Sequence, residues 1–204
     1  MRDFKLNKLI KISLLSVIAF LIQYIELPLP LFPEFLKIDA SDIPALLGAF
    51  ALGPVEGVII ELFKNIIHGL MGTKTAFVGE LANFLVGGAM VFVAGYMYKY
   101  NKSKKMAVMS LLVGSIFMSI VAGVLNYYLF LPLYQKVLHI PMEAFVQMGS
   151  AVNPAIKDLK TFILWSIVPF NLIKGVVVSA ITLGIYKSVS PLIHSEAKKP
   201  ARSN

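Results

Sequence analysis

The sequence predicts an all-α integral membrane protein with six transmembrane helices, and three observations favour this fold class. Hydrophobic residues make up 57% of the 204-residue chain and charged residues only 15%, against about 45–50% and about 25% in soluble domains. Apolar stretches long enough for a membrane helix, roughly 17–25 residues, recur along the whole chain. Basic residues outnumber acidic residues by 19 to 11, and most of them fall between these stretches.

The six predicted spans form one membrane domain, residues 1–190, which is followed by a polar tail at 191–204. The spans cover residues 9–27, 43–52, 55–71, 76–98, 106–133 and 161–187. The first span follows a basic lead-in but has no small-residue cleavage site after it, so we expect a retained helix. The second has half the length of a span and ends at the Gly53-Pro54 break, which predicts a short or tilted helix.

The charges of the loops predict the orientation in the membrane. An even number of spans places both termini and the 99–105 loop on one side. That side collects twelve of the 19 basic residues: Arg2, Lys5, Lys8, Lys11, Lys99, Lys102, Lys104, Lys105, Lys187, Lys198, Lys199 and Arg202. The positive-inside rule makes it the cytoplasmic side, so the net charge of +8 needs no nucleic-acid partner. The outer side holds the 28–41 loop, the 72–75 turn and a long connection at 134–160.

Polar side chains within the predicted spans indicate a functional site, because such groups are costly in lipid. They are Glu61, Lys64, Asn65, His68, Glu80, Asn83, Asn126, Asn171 and Lys174. In the first outer loop, Asp39 and Asp42 flank Ser41, which we expect to cap the second helix. Depths counted along the helices predict one cavity that opens to the outer face and narrows toward the middle of the membrane.

Most of these groups also have a purely structural interpretation. Glu61 and Lys64, one helical turn apart, can neutralise each other as an ion pair. Asn83 and Asn126 can form hydrogen bonds between helices. Lys174 is different, because it lies in mid-span and has no carboxylate three or four residues away. We therefore expect Lys174, with the amide one turn before it, to serve a function.

The patterns of several enzyme classes are absent from the sequence. The chain contains no Gly-x-x-x-x-Gly-Lys-Ser/Thr loop for ATP, no His-Glu-x-x-His zinc motif and no cysteine. An ion-coupled carrier usually has more spans arranged in two related halves. We therefore expect a small membrane protein with an outer pocket, no enzymatic activity and no energy source of its own.

Short segments spread over nearly the whole chain occur in the order found in one membrane family. They are Phe35-Leu-Lys-Ile-Asp-Ala-Ser-Asp-Ile-Pro44, Leu52-Gly53-Pro54, Lys64-Asn65, Gly79-Glu80-Leu81-Ala82-Asn83-Phe84, Asn126-Tyr127, Leu131-Pro132-Leu133-Tyr134 and Pro169-Phe170-Asn171-Leu172-Ile173-Lys174-Gly175. Each is short, but together they are specific. The chain resembles the substrate-binding S components of energy-coupling factor (ECF) vitamin transporters, and within them the riboflavin-specific members.

This resemblance implies six transmembrane helices with the vitamin bound near the outer face, under the first outer loop. It implies that the flavin ring is hydrogen-bonded by Asn126, Asn171 and Lys174. An asparagine amide offers both a donor and an acceptor to the alternating pyrimidine edge of the ring. Candidates for the ribityl hydroxyls, or for ordering the loop, are Glu80, Asn83 and Asp39. The lid over the ligand is expected to include Leu36, Lys37 and Asp42.

The resemblance also implies partners and a location. We expect riboflavin as the transported ligand, with FMN as an alternative, no resident cofactor, and a bacterial plasma membrane location. A separate transmembrane subunit and two ATPases would complete the importer, and the small residues Ser16 and Ala19 of the first helix are candidates for docking on it. Two alternatives remain open: an S component for another vitamin or a purine-like ligand, and a membrane scaffold without transport activity.

Overall fold

Helices dominate the computed structural model, which describes residues 2–195, without the side chains of residues 2–4, 187 and 189–195. The helices of this part of the chain are α1 (Arg2–Gln23), α2 (Asp42–Ala51), α3 (Pro54–Gly72), α4 (Val78–Tyr100), α5 (Lys104–Leu125), α6 (Leu131–Leu138), α7 (Met142–Val152), α8 (Leu159–Phe162) and α9 (Val168–Ser195). Strands β1 (Leu27–Pro28) and β2 (Lys37–Ile38) form a short antiparallel ladder in the loop between α1 and α2, for which we keep the name first outer loop from its predicted side of the membrane.

Two π-helical turns join neighbouring helices into longer rods. Asn126–Phe130 continues α5 into α6, and Ile163–Ile167 continues α8 into α9. A π-helical turn holds one residue more than an α-helical turn and is often found at functional sites. The two turns contact each other, so both irregularities lie at the same place in the fold.

Among the described residues, four helical stretches are long and apolar enough to cross a membrane: Lys5–Gln23, Val78–Tyr100, Lys104–Leu138 and Leu159–Tyr186. Helix α2 is apolar but has only 10 residues. Helix α3 has 19 residues but carries Glu56, Glu61 and Lys64. A helix therefore lies at each of the six predicted spans, and the number of membrane crossings stays a prediction.

The short helix α2 lies in the middle of the helix bundle, where it contacts α1, α3, α4 and α9. Close approach depends on small residues: a Cβ added to Gly57 of α3 would lie 2.6 Å from the Cβ of Ala49, and one added to Gly95 of α4 would lie 2.9 Å from the same atom. Gly53, at φ 133°, and Pro54 separate α2 from α3 as the sequence predicts.

Three sequence-based boundaries differ from the structure. The first span was predicted to reach residue 27, but α1 ends at Gln23, because β1 pairs with β2 there. The predicted loop at 134–160 is largely helical, since it holds the end of α6 and all of α7. The predicted tail from 191 begins within α9, which continues to Ser195, and its residues 196–204 lie outside the described part of the chain.

Candidate ligand-binding site

A cavity of about 510 Å³ lies between the first outer loop and the ends of α1, α3, α4 and α9. All six residues predicted to bind substrate line it: Asp39, Glu80, Asn83, Asn126, Asn171 and Lys174. Leu36 and Lys37 of the predicted lid line it as well, whereas Asp42 lies behind it against Lys174. The volume falls in the range of about 300–1,000 Å³ typical of small-molecule sites.

The two π-helical turns position the amides of the cavity. Asn126 is the first residue of one turn, and its Nδ2 donates to the carbonyl oxygen of Ala122 at 2.8 Å. Asn171 follows the other turn, and its Nδ2 donates to the carbonyl oxygen of Ile167 at 2.8 Å. Each bond lies within one helical segment, so Asn126 does not form the bond between helices considered from the sequence. The Oδ1 atom of each of these amides can then accept a hydrogen bond from another donor.

Lys174 of α9, which has no carboxylate three or four residues away in the sequence, is paired with two carboxylates from elsewhere in the chain. Its Nζ donates to Asp39 Oδ2 at 2.9 Å and lies 3.4 Å from Asp42 Oδ2. The side chains of Lys174 and Asp39 are only 7% and 8% exposed. From the sequence, only partners within one turn of the same helix could be considered. The two carboxylates belong to distant segments: Asp39 to the first outer loop and Asp42 to the start of α2.

A second buried lysine extends this group of charges. Lys64 Nζ lies 2.5 Å from Asp42 Oδ1 and 2.8 Å from Glu61 Oε2, with all three side chains at most 1% exposed. The pairing of Glu61 with Lys64 within α3 is therefore present, but Asp42 is part of it. We call Asp39, Asp42, Glu61, Lys64 and Lys174 the charge cluster.

Ser41 is the N-cap residue of α2, but its side chain links the two halves of the charge cluster instead of capping the helix. Its hydroxyl accepts a hydrogen bond from Lys64 Nζ at 2.7 Å and donates to Asp39 Oδ1, whereas no hydrogen bond from its side chain caps the helix. Burial by itself raises the pKa of Asp39, but Lys174 and then Lys64 outweigh it and hold that pKa well below its usual range. Asp39 is therefore a carboxylate at neutral pH.

Glu80 receives hydrogen bonds at the end of the cavity that adjoins the 72–75 turn. Its Oε2 accepts from Thr73 Oγ1 at 3.0 Å and from Thr75 Oγ1 at 2.9 Å, and its Oε1 lies 3.1 Å from His68 Nδ1. The two threonines belong to the 72–75 turn and were not singled out in the sequence, although their position just before an acidic first turn is typical of helix-capping segments. Asn83, one turn after Glu80, makes no side-chain hydrogen bond among the described residues.

The first outer loop covers the cavity and rests on α9. Phe32 of the loop packs edge-on against Phe170, with ring centroids 5.5 Å apart, and Ile38 joins them in a small apolar cluster. Lys37 bonds to Glu26 at 3.0 Å on the exposed side of the loop. Phe170, next to Asn171, is an apolar contact that the search for polar residues did not find.

The predicted docking residues on α1 are buried against other helices of the same chain. Ser16 is 2% exposed and donates a hydrogen bond to the carbonyl oxygen of Ile12, and Ala19 is fully buried. The small residues allow α1 to approach its own neighbours α2 and α3. Leu14 and Leu21 are exposed on the same helix, and docking of a partner on α1 stays a prediction.

Comparison with known proteins agrees with this arrangement. Residues 7–186 match the family described as the substrate-specific component of ECF transporters. The riboflavin transporter RibU of Staphylococcus aureus (strain TCH60) is 37% identical over 90% of both chains. The riboflavin transporter FmnP of Bacillus subtilis (strain 168) is 35% identical over 94% of this chain and 96% of its own.

The fold is also found among solved structures. The S component of a bacterial ECF transporter superposes with a TM-score of 0.73 and 34% identity, over 93% of this chain and 98% of that one. Sequence and fold therefore agree over almost the whole length, and they include every element that lines the cavity. The chain is an integral membrane protein that belongs to the family of ECF transporter substrate-specific components.

Proposed function

We propose that this chain is a riboflavin-binding S component, which captures the vitamin at the outer face of the bacterial cell membrane. The observation that carries the proposal is the cavity of about 510 Å³ in which Asn126, Asn171 and Lys174 meet. Relatives at 37% and 35% identity are riboflavin transporters, which supports the same ligand here.

The chemistry of the cavity suits an isoalloxazine ring. The pyrimidine edge of the ring has one N–H donor with one carbonyl acceptor on each side of it. Lys174 can donate to a carbonyl, while Asn126 and Asn171 present amide oxygens that can accept from the N–H. Met118, Leu131 and other apolar lining residues suit the dimethylbenzene end.

The ribityl chain of the ligand then lies toward the outer end of the cavity. Glu80 and Asn83 are there, and the carboxylate of Glu80 can accept hydrogen bonds from hydroxyl groups in addition to those from Thr73 and Thr75. A site that bonds hydroxyls and carbonyls rejects analogues that lack them, because its own buried polar groups are left unpaired.

Inward delivery requires proteins other than this chain. We propose a separate transmembrane subunit and two ATPases as partners, since the family to which the chain belongs is a component of ECF transporters. Six spans with both termini in the cytoplasm remain our proposed topology. Uptake of labelled riboflavin into proteoliposomes is expected only when these subunits and ATP are present together.

The test of the ligand assignment is flavin fluorescence quenching by the purified protein. Lys174→Ala is expected to weaken riboflavin binding by about 1.5–3 kcal/mol, or roughly 10- to 150-fold, because a charged hydrogen bond is lost. The exposed Lys136→Ala, outside the cavity, serves as the matched control and should bind like the parent.

The outcomes separate the ligand from the residues assigned to it. Equal affinity of Lys174→Ala and the parent would show that Lys174 does not hold the ring. If the parent protein quenches no flavin but binds another vitamin or a purine, the riboflavin assignment itself is wrong. If it binds no small molecule at all, a scaffold function is favoured.

A further inference from the structure

Asp39 lines the cavity, but both of its oxygens are already engaged by the protein. Oδ2 accepts from Lys174 Nζ at 2.9 Å. Oδ1 accepts from the backbone N–H of Ser41 at 2.9 Å and also from the Ser41 hydroxyl. A carboxylate that is buried and holds three donors has little capacity left for a hydroxyl of the ligand.

Lys174, in contrast, has a donor to spare. An ammonium group has three N–H bonds. One is directed to Asp39 and another faces Asp42 at 3.4 Å, so a third remains for the cavity that Lys174 lines. The position of this third N–H depends on the two carboxylates, and Asp39 makes the shorter contact.

We propose that Asp39 is a positioning residue, which holds the ammonium of Lys174 where it donates to a carbonyl of the flavin ring. This inference rests on the proposed function, and it differs from the assignment of Asp39 to the ribityl hydroxyls. Without Asp39, the remaining carboxylate within 4.0 Å of Lys174 among the described residues is Asp42, which draws the ammonium away from its position.

The same contact connects the lid to the ring-binding end of the cavity. Asp39 directly follows β2 of the first outer loop, and its partner Lys174 lies 135 residues later, on α9. Moving this part of the loop outward would leave a buried ammonium and a buried carboxylate less well paired, which is costly in an apolar interior. The position proposed for Lys174 therefore depends on this part of the loop being seated against α9.

A comparison of two flavins tests the proposal. Lumiflavin has the ring of riboflavin with a methyl group in place of the ribityl chain. Affinities for both are measured by fluorescence quenching for Asp39→Asn, Lys174→Gln, the double variant and the parent. The matched control is Glu34→Gln, an exposed acid-to-amide change in the same loop that lies outside the cavity. Thermal unfolding of each variant reports stability separately.

If Asp39 acts through Lys174, Asp39→Asn lowers the affinity for both flavins by the same factor, about 10-fold or more. In the Lys174→Gln variant the same Asp39→Asn change then lowers the affinity by less than about 2-fold, because the group that Asp39 positions is absent. Asp39→Glu, which keeps the charge, is expected to bind both flavins more tightly than Asp39→Asn, and Glu34→Gln is expected to match the parent.

Three results would overturn the proposal. A loss confined to riboflavin would show that Asp39 contacts the ribityl chain. Additive effects of the two substitutions would show that Asp39 and Lys174 act independently. Equal affinities of Asp39→Glu and Asp39→Asn would show that its charge is irrelevant. A parent protein that binds neither flavin refutes the proposed function instead, which is a distinguishable outcome.

Discussion

Removing the central lysine of the charge cluster should destabilise the protein strongly. Lys64 is fully buried, and its Nζ lies 2.5 Å from Asp42, 2.8 Å from Glu61 and 2.7 Å from the hydroxyl of Ser41. Lys64→Met keeps most of the side-chain volume and removes the charge. The charge cluster then holds three carboxylates and only one ammonium group, all of them buried.

The expected magnitude follows from the burial of these groups. Breaking a buried ion pair by removing one partner costs about 3–5 kcal/mol, because the remaining charge is left uncompensated. For a chain of about this size, 1 kcal/mol lowers Tm by about 2–4 °C. We therefore expect Lys64→Met to lower Tm by roughly 6–20 °C.

The assay is thermal unfolding of the purified, flavin-free protein in detergent. The substitution Lys136→Met, at an exposed position, is the matched control and should leave Tm equal to that of the parent. In the double variant Lys64→Met/Glu61→Gln, one carboxylate is removed together with the lysine, so part of the lost stability should return. A fall in Tm of less than about 3 °C for Lys64→Met, or a double variant less stable than the single one, would refute the reasoning.

Two further predictions concern the contacts of α9. Gly175→Ala should destabilise the protein by about 1–3 kcal/mol, because its Cβ would lie 2.8 Å from the Cβ of Ser115. Gly184→Ala, whose Cβ would meet no atom of the described residues within 4 Å, should be neutral or stabilising in the same unfolding assay. Tyr98→Phe removes the buried hydrogen bond between the hydroxyls of Tyr98 and Tyr186 and should cost about 1 kcal/mol; an unchanged unfolding midpoint would contradict this.

The residues of the cavity could be predicted because polar groups in lipid are conspicuous. Asn126, Asn171 and Lys174 stand out in long apolar stretches, and their depth could be counted along a helix. All three line the cavity of the structure. Phe170 could not be found in this way, because an apolar residue in an apolar stretch has no signal of its own.

Partners in the charge cluster depend on contacts that are distant in sequence. Lys174 lacks a carboxylate on its own helix, and it lies 135 positions after Asp39 in the sequence, so no local pattern indicates the pair. The π-helical turns were likewise hidden, because no local pattern in Asn126–Phe130 or Ile163–Ile167 indicates an extra residue in the turn. In the structure the two turns contact each other, and that contact joins segments that are distant in sequence.

The sequence by itself determined that the chain is a helical membrane protein, because hydropathy and charge distribution depend on composition along a single segment. It also determined which polar side chains are unusual, and hence where to look for the site. Only the tertiary structure decided that α2 is enclosed by other helices, that Ser16 and Ala19 face inward, and that Lys174 is paired. The reason is the same in each case: burial and ion pairing are properties of neighbouring helices, and no helix carries the positions of its neighbours in its own sequence.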